Sequence, residues 1–237
     1  RIWYRKIVSR WIDAIDCNGI LCGEYVRSLG FDSKRLTFGH MVADISGMSR
    51  TIQNIANEDI VKVKKELKIP PKGLMILFVG QLIPIKGVDQ LLTAWKQFKS
   101  HCKENCTLVY VGYGRLEQPL RDRIVNEKIQ DVILIGGIDY DSIAQYYKAA
   151  DCFILPTVED NWSLVVPEAM ACGLPVATTI YNGCHPELIT KENGWVFDTY
   201  NEQSIIDTLQ NIVNNKERLK EMGEVSKRIV SKHTAER

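Results

Sequence analysis

The sequence predicts an α/β protein in which a parallel sheet carries helices on both faces, preceded by a smaller, partial βαβ piece. Two observations lead there. Short, nearly continuous apolar runs recur near 75–79, 107–111, 132–135, 152–155 and 175–179, with a shorter one near 195–197. Segments with helical spacing separate them, near 87–100, 115–127, 141–150, 163–172 and 202–214. Strands apolar on both sides are covered on both sides, and their alternation with helices is the pattern of parallel crossovers.

Taken in order, residues 1–13 place Ile2, Trp3, Ile7 and Trp11 at helical spacing, and Arg1, Arg5, Lys6 and Arg10 make that helix basic. Such a helix can make a peripheral contact with a membrane surface. Packing against a further domain is the preferred reading. A strand-like run follows at Asn18–Cys22, then a short helix to Leu29-Gly30 and a strand near Leu36–His40. Together they form one βαβ-sized piece with no sheet of its own to join. A chain opening on such a piece, without a methionine, reads as cut from a longer protein. From 46 to 72 the sequence turns polar, with a charged helix around 58–67 and a stop at Pro70-Pro71, which reads as a linker. The division is therefore 1–45, the tail of a preceding domain; 46–72, a linker; 73–215, the main α/β domain; and 216–237, a charged amphipathic C-terminal helix.

Composition narrows the function classes. The chain has 237 residues and 45% hydrophobic content, room for one large or two small domains with an ample core. A net charge of +1 gives no global basic field for nucleic acid. No apolar run reaches the roughly 18 residues of a membrane span. The seven cysteines are odd in number and scattered, several in apolar runs, as reduced cytoplasmic thiols are. His101-Cys102 with Cys106 has metal-like spacing but lacks a second pair, so no metal site is predicted.

The chemistry concentrates in Glu159–Pro175. A helix is predicted from Ser163, which can cap it, to Cys172, with Gly173 and Pro175 as the stop. Leu164, Val165, Val166, Ala169, Met170 and Cys172 make it apolar on every side, so its one carboxylate, Glu168, needs a partner or a ligand. Asp160 lies on the loop before it. The two carboxylates, about 10 Å apart, bracket a helix N-terminus, which favours anions. Hydroxyls, phosphate and hydroxyls in that order describe a nucleotide-sugar. A solvated turn followed by a partly exposed helix residue is the alternative. Upstream, Gly80–Gly87 follows the first main strand and puts Lys86 where a point charge could hold phosphate. Gly112-x-Gly114 lacks a third glycine and does not follow the first strand, which argues against a dinucleotide-binding dehydrogenase.

Asp160-x7-Glu168 followed by Ala-Met-Ala-Cys-Gly-Leu-Pro-Val resembles the Glu-x7-Glu signature of the family-4 retaining glycosyltransferases, the GT-B glycosyl transferases group 1. Asp160 stands where Glu is usual and is shorter by one methylene. Gly80–Gly87 is similar to the family's Gly-Arg-Leu-x3-Lys-Gly turn, with Lys86 matched and Gln81 in place of arginine. Gly112-Tyr-Gly114 resembles a family turn and implies a structural role for both glycines. In the turn at Gly136–Tyr140, Ile138 is the implied contact to the nucleotide base. Tyr146–Asp151 is family-like too and reads as ordinary helix packing. Tyr181–Glu187 with Glu192-Asn-Gly194 resembles a loop near the donor, and His185 within it is given no catalytic role.

The resemblance, which covers about residues 10–230, implies the Rossmann-like, donor-binding half of a GT-B enzyme. It implies sugar transfer from a nucleotide diphosphate sugar to an acceptor hydroxyl with retention, in polysaccharide or glycolipid biosynthesis. In that scheme Glu168 holds the ribose. Lys86, Gln81 and the N–H groups at Ser163, Leu164 and Val165 hold the diphosphate. Asp160, with Asn161 and Trp162, grips the sugar. The donor is a substrate, and no metal or other cofactor is implied. The partners are a glycan or lipid-linked acceptor and the missing N-terminal domain, in the cytoplasm or at the inner face of the membrane. The isolated fragment is expected to bind weakly and catalyse nothing. A non-catalytic nucleotide-sugar-binding domain and another GT-B enzyme, such as a nucleotide-sugar 2-epimerase, are the alternatives.

Overall fold

A computed structural model describes residues 2–39 and 43–233. Arg1 of the predicted first helix, His40 at the end of the second predicted strand and residues 234–237 lie outside them.

The chain opens on α1 (Ile2–Val8), whose Ile2, Trp3 and Tyr4 are exposed, as is Trp11 just beyond it. Next come β1 (Ile15–Cys17), α2 (Ile20–Ser28) and β2 (Leu36–Phe38), with the two strands paired in parallel as a sheet of their own. The strand expected at Asn18–Cys22 is thus displaced. Cys17 ends β1, and Ile20, Leu21 and Cys22 begin α2. A short apolar run does not by itself distinguish strand from helix, and here Ile20 and Leu21 lie on the partly exposed side of the helix.

Residues 46–72, read as a linker, contain most of α3 (Ile45–Asn54) and all of α4 (Asn57–Glu66). Both pack on the main domain. Lys148 Nζ donates to the carbonyls of Ile52 and Ile55 at 2.7 and 3.2 Å, which satisfies the end of α3. Lys64 meets Asp151 at 3.0 Å, and Asp151 also accepts the N–H of Met75.

The main domain alternates without interruption: β3 (Leu74–Val79), α5 (Val88–His101), β4 (Cys106–Val111), α6 (Glu117–Asn126), β5 (Val132–Gly136), α7 (Tyr140–Ala149), β6 (Cys152–Leu155), α8 (Val165–Ala171), β7 (Val176–Thr179), α9 (His185–Leu188), β8 (Gly194–Phe197) and α10 (Glu202–Asn214). A final helix, α11 (Leu219–Val230), packs against α8. The six strands are all parallel, in the order β5-β4-β3-β6-β7-β8. Every residue of β4, β6 and β7 is buried, as strands covered on both faces must be. This order places β3 beside β6 and reverses the direction of winding between them. The carboxyl ends of those two strands therefore open a crevice at a topological switch point.

Candidate active site

Lys86 and Asp160 meet across that crevice. Lys86 ends a short 3-10 turn, Pro84–Lys86, and Gly87 follows with φ +66°. A Cβ at Gly87 would stand 1.9 Å from the Pro156 carbonyl oxygen, so only glycine lets the first loop lie this close to the chain leaving β6. Two bonds to the Ile85 carbonyl fix the approach, from the Val158 N–H at 2.9 Å and from Thr157 Oγ1 at 3.0 Å. Lys86 Nζ then sits 2.5 Å from Asp160 Oδ2, with both side chains mostly shielded from solvent.

Asp160 has further partners. Ser163 Oγ donates to Oδ2 at 2.5 Å, and the Trp162 N–H donates to Oδ1 at 3.2 Å. Its backbone is held from the other side, where its N–H donates to the Tyr181 carbonyl and its carbonyl accepts from Gly183. Ser163 is therefore not the helix cap expected. α8 begins two residues later, at Val165, without a side-chain cap, and the Ser163 hydroxyl instead donates to the Asp160 carboxylate.

Glu168 lies on α8, 8% exposed, and shares no hydrogen bond with the first cluster among the described residues. Its partners are two phenols: Tyr147 donates to Oε2 at 3.1 Å and Tyr140 to Oε1 at 3.4 Å. Burial raises its pKa above the ordinary carboxylate value; the two phenols oppose the rise, and the charge of Asp44 adds to it. Burial, followed by the Glu168 charge, pushes Tyr140 up to about 12. Tyr147 packs against Phe153 as a helix-packing residue should, but its hydroxyl also serves Glu168. Tyr140 and Tyr147 are seven residues apart, two helical turns, and so share a face of α7. That spacing was the available signal for the pair.

The other expected residues line the same edge. Gln81 is exposed, Ile138 is half-buried against the core, Asn161 and Leu164 are exposed, Val165 is half-buried and Trp162 is buried. Gly112 (φ +146°) and Gly114 (φ +159°) lie where a Cβ would stand 1.9 Å from the Gly80 carbonyl oxygen and 2.4 Å from that of Leu82. Both glycines are there to let the loops after β3 and β4 touch. His185 is half-buried, with its pKa lowered by burial, and joins neither carboxylate cluster. Neighbouring Glu187 accepts the Ile20 N–H at 2.6 Å, which ties the start of α2 to this edge. Exposed apolar side chains also gather here: Ile85, Tyr113, Tyr140, Leu164, Ile180 and Tyr200 all follow strand carboxyl ends.

The model of the family described as glycosyl transferases group 1 matches residues 59–229. The chain belongs to that family. Within the group, it is 32% identical over 181 residues to an uncharacterized glycosyltransferase of Haemophilus influenzae, covering 76% of this chain and 50% of that protein. It is 28% identical over 173 residues to a GDP-mannose-dependent monoacylated alpha-(1-6)-phosphatidylinositol monomannoside mannosyltransferase of Corynebacterium glutamicum, covering 70% and 45%. The chain thus spans about half the length of these curated relatives. Among solved structures, Anabaena Alr3699/HepE in complex with UDP superposes with a TM-score of 0.79 at 18% identity, covering 95% of this chain and 60% of that one. The fold is similar to that of GT-B glycosyltransferases.

Proposed function

We propose that this glycosyltransferase transfers a sugar from a nucleotide diphosphate sugar to an acceptor hydroxyl with retention, as part of polysaccharide or glycolipid synthesis. The observation that carries the reading is the Lys86–Asp160 pair at the switch point. A diphosphate entering the crevice offers Lys86 a doubly charged partner in place of Asp160. Asp160, released from the lysine, then accepts hydroxyls of the donor sugar beside Asn161 and Trp162. Glu168 takes the ribose hydroxyls and Ile138 borders the base. In transfer, the bond from the anomeric carbon to the diphosphate oxygen breaks and its electron pair leaves with the phosphate. The acceptor oxygen bonds to the same carbon on the face the diphosphate leaves, and its proton passes to the departing diphosphate oxygen. Lys86, Gln81 and the N–H groups at Ser163, Leu164 and Val165 oppose the negative charge that builds on the leaving group.

The donor class draws support from relatives: the Corynebacterium glutamicum protein is a GDP-mannose-dependent mannosyltransferase, and the Anabaena structure is a complex with UDP. The acceptor, a glycan or a lipid-linked glycan, would be presented by a missing N-terminal domain, in the cytoplasm or at the inner face of the membrane. A chain of this extent then binds donor without turning it over. Calorimetric titration with UDP, GDP and ADP tests the site. One nucleotide should bind, and Lys86→Ala should weaken it at least about tenfold, the scale of one lost charge-assisted bond. Binding indifferent to Lys86→Ala would overturn the assignment.

A further inference from the structure

Glu168 is nearly closed to solvent, yet it is the residue assigned to ribose, and its two oxygens are met by tyrosine hydroxyls. Its two oxygens are not equivalent. Oε2 faces Tyr147, which is fully buried and packed on Phe153. Oε1 faces Tyr140, which is 52% exposed and whose bond, at 3.4 Å, is the longer of the two. Tyr140 is the first residue of α7, and Asp139 before it caps the helix by accepting from the N–H and hydroxyl of Ser142. The backbone is therefore held, and rotation of the side chain alone would uncover Oε1.

We propose that Tyr140 is a place-holder for the ribose diol. Its hydroxyl keeps the buried carboxylate hydrogen-bonded while the site is empty, and an incoming ribose hydroxyl takes its place. A buried carboxylate stripped of a donor is costly, so the exchange must be one hydroxyl for another. The consequence concerns affinity. Because a bond is given up when the nucleotide enters and regained when it leaves, Tyr140 loosens the grip on the nucleoside diphosphate and eases product release. It is a positioning residue, acting on the ligand through Glu168. The inference rests on the assignment of Glu168 to ribose made above.

The test is titration of the wild type and Tyr140→Phe with the nucleoside diphosphate that binds, and with its 2′,3′-dideoxy analogue. Phenylalanine keeps the half-exposed side chain and removes only the hydroxyl, so the packing is kept while Glu168 loses one of its two donors. The ribonucleotide should bind Tyr140→Phe about three- to tenfold more tightly, since its hydroxyls no longer compete. The dideoxy analogue should bind both proteins alike. Equal or weaker ribonucleotide binding by Tyr140→Phe overturns the proposal, as does equal tightening of the dideoxy analogue. Lys86→Ala separates the two levels. If it abolishes binding while Tyr140→Phe changes nothing, the donor site stands and the place-holder falls. If no nucleotide binds the wild type, or Lys86→Ala is harmless, both fall.

Discussion

Glu168 is a carboxylate whose folded environment favours the protonated form, because burial outweighs its two phenol bonds. The sign of its effect on stability follows. Between its ordinary value near 4.5 and its raised folded value, the native state binds more proton than the unfolded chain, so stability falls as pH rises through that window. Glu168→Gln keeps the shape without the charge. Urea unfolding from pH 4 to 8 should show the variant gaining on the wild type as pH rises, while its nucleotide affinity drops. A variant whose advantage shrinks with pH would contradict the burial argument. Glu168 was legible in the sequence because it is a lone carboxylate in an apolar helix. Its partners were not, since Tyr147 and Tyr140 lie 21 and 28 residues upstream and meet it only through helix packing. Lys86 and Asp160 were each legible from their loops, but not as an ion pair spanning 74 residues.

At the scale of elements, the loops depend on glycines that permit close approach. Gly87→Ala forces a left-handed residue to carry a Cβ into the Pro156 carbonyl. The loop must move, at a cost of about 2 kcal/mol or more, and Lys86 moves with it. Chemical denaturation should show the loss of stability, and titration should show nucleotide affinity falling as well. A variant as stable as the wild type would mean that the two loops are not held together as described. The four-residue α9 lies in a stretch read as a loop, but the six main strands were readable as short apolar runs and the longer helices between them from their spacing. Asn18–Cys22 and Ser163 were not. The first is too short for period to separate strand from helix, and the side chain of the second is oriented by its bond to Asp160, which only the folded loop supplies. The polar stretch 46–72 read as a linker because α3 and α4 bury few residues each, though Ile45, Met48 and Val63 join the main core and Lys148 and Lys64 add polar ties.

Across the whole molecule, the seven cysteines report on how completely the layers close. Cys17, Cys106, Cys152 and Cys184 are buried, and burial pushes Cys17 up to about 11 and Cys106 and Cys184 up to about 12. Burial also raises Cys172. Cys22, Cys102 and Cys172 are partly exposed. At pH 8 an aromatic disulfide reagent should therefore modify Cys22 and Cys102 quickly, Cys172 more slowly because its thiol is held protonated, and the four buried thiols only at the rate of unfolding. Mass mapping of the labelled cysteines checks the assignment, and rapid labelling of Cys152 or Cys184 would show that the layers open locally.

The strand order has a further consequence, in time rather than in space. The first strand of the main sheet lies in the middle, and its crevice partner is the fourth to be made. Lys86 is synthesised long before Asp160, and the chain between them must form three helix–strand units before the two residues can meet. Contacts of such sequence separation form late in folding. A chain paused before β6 has half a sheet and no crevice beside β3, so under the proposed function nucleotide would stabilise only a chain that has already folded past β6.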